Sequence, residues 1–164
     1  MINSLHHFEI LTCHSRRILD YFIKGYNFNL ISVKQTDQYK QYLINSNSIN
    51  FLITSLDNEK QTKLDKFSEY SYKSSLKTIE QSDKNLFNKI LKKNDSVFNA
   101  AFQVCDLDRI LANCQEHKVK VLKDKHILFD KEYSRDGYVE CAVVESCVDG
   151  VTHSLFDTSN YKVI

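Results

Sequence analysis

The feature that most constrains this chain is an internal echo. Laid at an offset of 92 residues, "CHSRRILDYF" and "CDLDRILANC" match Cys13 with Cys105 and Arg17-Ile18-Leu19 with Arg109-Ile110-Leu111. The flanking segments repeat the same order. "LHHFEILTC" reads as a strand, and "HSRRILDYFIKGYNF" follows as a helix with Ile18, Leu19, Phe22 and Ile23 on one face and Gly25 as its stop. Strand-like runs "YKQYLIN" and "INFLITS" come next. In the second half "FNAAFQVC" is a strand and "DLDRILANCQEH" a helix. "KVKVL" or "HILFD" then supplies a strand, followed by "GYVECAVVES" and "VTHSLFDTS". The expectation is an α+β chain of two βαβββ modules forming one curved sheet. The helices starting near Ser15 and Asp106 should pack on its convex side, with Leu19, Phe22, Ile110 and Leu111 buried.

The domain map that follows is a single domain over 1–164. Module one spans 1–56, an insert and linker helix 57–96, and module two 97–161. Residues Asn58 to Gln81 are rich in Lys, Ser, Asp and Asn, which predicts a solvated loop. From Ser82, a fair N-cap, Leu86, Phe87, Ile90 and Leu91 mark a short amphipathic helix. Gly137 in "RDGY" suggests a hairpin turn; Gly25, Gly137 and Gly150 are isolated, so no phosphate loop is present.

Net charge is +1, from 22 basic and 21 acidic residues, so charge implies neither a nucleic-acid nor a membrane partner. No apolar run approaches the length of a spanning helix, and no secretory signal is visible in "MINSLHHFEI". Cys13, Cys105, Cys114, Cys141 and Cys147 form no CxxC. An odd count of this kind predicts buried thiols in a reducing compartment rather than a disulfide or zinc framework.

Paired βαβββ modules are the plan of the vicinal-oxygen-chelate (glyoxalase/bleomycin-resistance) fold. Within it the chain resembles the N-terminal domain of 4-hydroxyphenylpyruvate dioxygenase and its dioxygenase-like relatives. "HHFE" looks like that family's first strand. "KKNDSVFNAAFQVCDLD" is similar to HGDGVxDIAFxVxD, and "VTHSLFDTSNY" to THTLVExxNY. Asn94 and Ser96 replace two glycines of the pattern, and Asp157 replaces a Glu. The resemblance implies a parent reaction in which Fe(II) and O₂ oxidise an aromatic 2-oxo acid, either in tyrosine catabolism or in hydroxymandelate formation for ubiquinone synthesis. It implies a C-terminal catalytic domain as partner, a homodimer as a further expectation, and a cytoplasmic location, or a mitochondrial one for the dioxygenase-like branch.

In that family two His and one carboxylate hold the iron, in the C-terminal domain, and leave open positions for oxo acid and O₂. Projected onto this chain, the three slots fall on Ile10, Asn99 and Ser154, none a normal iron ligand. The resemblance therefore implies no catalytic, cofactor-binding or metal-binding residue here, the Fe(II) ligands lying outside this chain. Taken alone, the chain is expected to be inactive. His153 and Asp157 share a strand face and Ser154 the opposite one. His6 and His7, being adjacent, are expected on opposite faces. His117 and His126 read as helix-end and loop residues, and Cys13 with His14 lacks an orienting acid nearby. Two other classes are compatible with the same residues: a stand-alone small-ligand binding protein, and a small metal enzyme whose site is shared across a dimer.

Overall fold

The structure, a computed structural model, describes residues 1–12, 14–35, 40–55, 95–128 and 137–161. Their strands are β1 (Ile2–Thr12), β2 (Asn29–Gln35), β3 (Lys40–Ser46), β4 (Ile49–Ser55), β5 (Asp95–Val104), β6 (Val121–Leu128), β7 (Val139–Glu145) and β8 (Thr152–Asp157). All eight join one curved mixed sheet in the order β2-β3-β4-β1-β5-β8-β7-β6. Helix α1 (Ser15–Asp20) runs on into a π-helical turn, Tyr21–Gly25, and helix α2 is Leu107–Glu116. The two helices start at Ser15 and Leu107, the spacing of the sequence echo. The first strands of the modules, β1 and β5, pair antiparallel at the centre. Each also pairs parallel with the last strand of its own module, Phe8 opposite Phe51 and Ala100 opposite His153. This is the expected pair of βαβββ modules.

Alternation along the strands gives the sheet two unlike faces. On the helix face, Val104, Ala142, Val144 and Leu155 form a core with Leu107, which Ile110, Leu111 and Cys114 of α2 extend. In module one, the ring of Phe22 lies 4.7 Å from that of Phe51, which in turn lies beside Phe8. Ile10 and Ile53, paired across β1 and β4 and both buried, belong to the same face. Leu19, Phe22, Ile110 and Leu111 are only half-buried, less than expected. Helix α2 is seated by its first turn, where Leu107 is fully enclosed, and the positions farther along touch the sheet on one side only.

Several expectations need correction. The choice between "KVKVL" and "HILFD" was false, because β6 crosses from one segment into the other. Register shifts at Val121/Lys123 and Lys123/His126 break its period of two, and His126 lies inside this strand rather than in a loop. The edge strand β2 has all seven residues exposed, so it carries no buried face to mark it in sequence. Asp95 and Ser96 belong to β5, not to a linker. The turn after Gly25 is made by Asn27, at φ 58°. Gly137, at φ 105°, bridges Tyr161, and a Cβ there would stand 1.9 Å from the Asn160 carbonyl oxygen. Of the thiols, Cys141 is buried but Cys105 and Cys147 are exposed. The expected loop Asn58 to Gln81, the helix from Ser82, and Cys13 lie outside the described residues.

Candidate functional site: a buried polar cluster on the inner face

The inner face, opposite the helices, is polar at its centre. Glu9 of β1 stands opposite Leu52 of β4 on one side and Asn99 of β5 on the other. Asn99 in turn stands beside Thr152, two residues before Ser154 on β8. Thr54 shares the parity of Leu52, and Gln41 faces Thr54 across β3 and β4. All six polar residues are buried, with Glu9, Thr54 and Asn99 at 0% exposure.

Their hydrogen bonds form two linked groups. Thr54 Oγ1 donates to Glu9 Oε1 at 2.8 Å, and Gln41 Nε2 donates to Thr54 Oγ1 at 3.0 Å while lying 3.5 Å from Glu9 Oε1. Asn99 Nδ2 donates to Ser154 Oγ at 2.9 Å; Asn99 Oδ1 accepts from the Ser154 N–H at 3.1 Å and from Thr152 Oγ1 at 3.3 Å. Only Glu9 Oε2 is left over: it is closed to solvent and has no hydrogen-bond partner among the described residues.

Burial pushes the Glu9 carboxyl up to about 8, against the weaker pull of Thr54, Asn99 and Gln41 toward the charged form. At neutral pH Glu9 is therefore a neutral acid. Its Oε1 accepts from Thr54. Two residues earlier, His7 is held down to about 3, by burial first and by the adjacent His6 second. It is neutral too and supplies no counter-charge.

The structure sorts the sequence-derived candidates. Asn99 and Ser154, two of the three projected slots, lie together on the inner face. Ile10 does not: it faces the helices, and its neighbour Glu9 occupies the inner face. Neighbouring strand positions lie on opposite sides of the sheet. His153 packs its ring 5.2 Å from that of Phe102 on the helix face. Asp157 accepts from the Leu107 N–H at 3.4 Å and the Ser159 N–H at 2.9 Å, tying β8 to the start of α2. Burial raises its carboxyl, but these bonds outweigh it and hold the group below the usual range. His6 and His7 correct another expectation. A bulge between Leu5 and His7 lets both rings reach Phe156, 5.7 and 6.0 Å away, with their Nδ1 atoms 2.7 Å apart. Cys141 is no nucleophile, since burial pushes its thiol up to about 12. His14 is exposed before α1, and His117 ends α2.

An iron that must bind an oxo acid and O₂ needs two imidazoles and a carboxylate with open positions. Here Glu9, Asn99 and Ser154 offer a carboxyl, an amide and a hydroxyl in place of two imidazoles and a carboxylate, so the donor set does not fit. Among the described residues, no three of His, Cys, Asp and Glu gather as a metal site. Glu9, Gln41, Thr54 and Thr152 are the cluster members that sequence reasoning missed. The available signal was an acid inside the apolar run "FEIL", at the same parity as Leu11.

The fold is that of the vicinal-oxygen-chelate, or glyoxalase, proteins. A methylmalonyl-CoA epimerase from Streptomyces coelicolor superposes with a TM-score of 0.60 at 13% identity, covering 100% of both chains. The epimerase of Mycobacterium tuberculosis gives 0.56 at 11% identity, over 95% of this chain and 88% of that one. A 4-hydroxymandelate synthase from Streptomyces coelicolor gives 0.63 at 10% identity, over 99% of this chain but 50% of the synthase. No protein-family model matches. In sequence, the chain is 22% identical over 162 residues to putative protein C31H2.4 of Caenorhabditis elegans, spanning 98% of itself and about a third, 36%, of that relative. Among the described residues, no helix is long and apolar enough to cross a membrane.

Proposed function

We propose that the chain is the metal-free, N-terminal vicinal-oxygen-chelate module of a 4-hydroxyphenylpyruvate dioxygenase or dioxygenase-like protein. Its work is to buttress a C-terminal catalytic domain of the same fold. That domain would carry the Fe(II) and oxidise an aromatic 2-oxo acid with O₂, in the cytoplasm or, for the dioxygenase-like branch, the mitochondrion. A homodimer of the parent is part of the same reading. The observation that carries it is the pairing of Asn99 with Ser154 on the inner face. Two positions where the resemblance expects iron ligands are occupied by neutral groups that satisfy each other. The lengths support it: the chain matches half of the hydroxymandelate synthase and about a third of the nematode relative.

The test is to read the transcript past codon 164. The expected result is a second pair of modules bearing two histidines and a carboxylate on their inner face, and a stop codon directly after Ile164 would overturn the reading. In parallel, the isolated chain given Fe(II) and 4-hydroxyphenylpyruvate should consume no O₂.

A further inference from the structure

The duplication gives the sheet two equivalent edges, and they are not alike. Strands β2 and β6 lie at opposite ends of the sheet, each with a neighbour on one side only among the described residues. An open edge presents a row of unpaired N–H and C=O groups, which native proteins guard with lysines, bulges or very short strands. The β6 edge is guarded: it carries Lys123 and Lys125, and two register shifts break its ladder. The β2 edge has one lysine, Lys34, and a single shift, between Leu30 and Ser32. That shift gathers its apolar side chains. Leu30 stands opposite Ile44 and Val33 opposite Tyr42, positions of one parity on β3, and Ile31 shares the face of Val33. Tyr42 faces Ile53, so all three lie on the helix side, where they are 47%, 47% and 56% exposed for Leu30, Val33 and Ile31. Tyr21 and Tyr26, exposed on the turn that leads into β2, continue this strip.

We propose that β2 is a dimerisation edge, pairing antiparallel with β2 of a second copy of this chain about a twofold axis at Ser32. In that register the whole strand is paired, with Asn29 meeting Gln35 of the other copy. Ile31 and Val33 of each copy meet Val33 and Ile31 of the other, two β-branched pairs on one face. Moving the axis by one residue would set one of them against Asn29 or Gln35 instead. Charge selects the same arrangement. The two Lys34 positions end four residues apart, about 14 Å, beyond the screening length of about 8 Å. Pairing β2 with β6 of another copy would bring Lys34 to a strand with Lys123 and Lys125 against one acid, Asp124, and would leave a free edge at each end. The inference rests on the homodimer within the dioxygenase reading and on no other part of it. A monomeric chain would leave the transcript test of the catalytic partner standing.

Sedimentation velocity of the full chain from about 1 to 200 μM tests the association. The wild type should pass from monomer to dimer in that range. Ile31→Lys, with its fold checked by circular dichroism, should raise the Kd about tenfold or more, because the substituted pair occurs twice in each dimer. A second pair of variants reads the register. Ser32→Cys sets two thiols across the axis with Cα atoms about 4.5–5.5 Å apart, within disulfide reach, so mild oxidation should link two copies. Lys34→Cys, about 14 Å from its mate, should stay at the wild-type background set by the exposed Cys105 and Cys147. A chain that is monomeric throughout, a dimer unmoved by folded Ile31→Lys, or equal cross-linking at positions 32 and 34 would overturn the proposal. So would a β2 edge taken up by a domain encoded beyond codon 164, seen as loss of the Ser32→Cys link in the longer protein.

Discussion

The two faces of the central sheet are built from neighbouring residues of the same strands, yet they hold together by different means. On the helix face, Ile10, Ile53, Val104 and Leu155 are buried, the last two in an apolar cluster. One residue away, Glu9, Thr54, Asn99 and Ser154 are equally enclosed but depend on hydrogen bonds. Apolar packing tolerates a change of pH; a buried acid does not. The helix face thus draws its stability mainly from packing, whereas the inner face answers to protons through Glu9 and His7; Asp157, which ties β8 to α2, is the titrating group on the helix side.

The largest effect expected from breaking this contrast lies on the helix face. Leu107→Ala removes the side chain that seats α2 and should cost about 2–5 kcal/mol in chemical denaturation, with no dependence on pH. A cost below about 1 kcal/mol would show that α2 is not anchored there.

On the inner face the expected effect is pH-dependent. The folded-state pKa of Glu9, about 8, lies above its ordinary 4.5. Below 4.5 both states are protonated and nothing is lost. As pH rises toward 8 the unfolded chain releases a proton that the folded chain retains, so stability falls by about 1.4 kcal/mol per pH unit from this group. Glu9→Gln should remove that slope and be more stable than wild type at pH 8, by denaturation at several pH values. His7 works in the opposite sense. Its folded-state pKa is lowered to about 3, so its contribution is present above 6.5 and is lost as pH falls toward 3.

Smaller effects should follow from single hydrogen bonds. Asn99→Ala removes the Ser154 N–H···Oδ1 bond and the Nδ2–H···Oγ bond and should cost about 1–3 kcal/mol. Asp157→Ala, which releases the Leu107 and Ser159 N–H groups, should cost about the same. His153→Ala should be the mildest, about 1 kcal/mol, since its ring makes an edge contact with Phe102 and a long 3.4 Å approach to the Ala100 carbonyl. A marked loss of Fe(II) binding in that variant would instead make the histidine a ligand.

The same contrast marks where the sequence was legible. The echo at 92 residues placed both helices and the two central strands, because helical and strand periods survive in short windows. The opposed faces of His153 and Ser154 followed from alternation alone. Three features did not follow, each for a local reason. A bulge at His6 turned two adjacent histidines toward one ring, and no composition signal marks a bulge. The edge strand β2 buries nothing, so it has no pattern to read. Glu9 was missed because the projected slot fell on Ile10, one position away, and a strand converts that single step into a change of face.

The account rests on Glu9 being a neutral acid at the centre of the inner face. Titration of its ¹³C-labelled carboxyl group by NMR tests this most directly. A midpoint near pH 8 is the expected result, and a midpoint near 4.5, the behaviour of a solvated or ion-paired carboxylate, would contradict it.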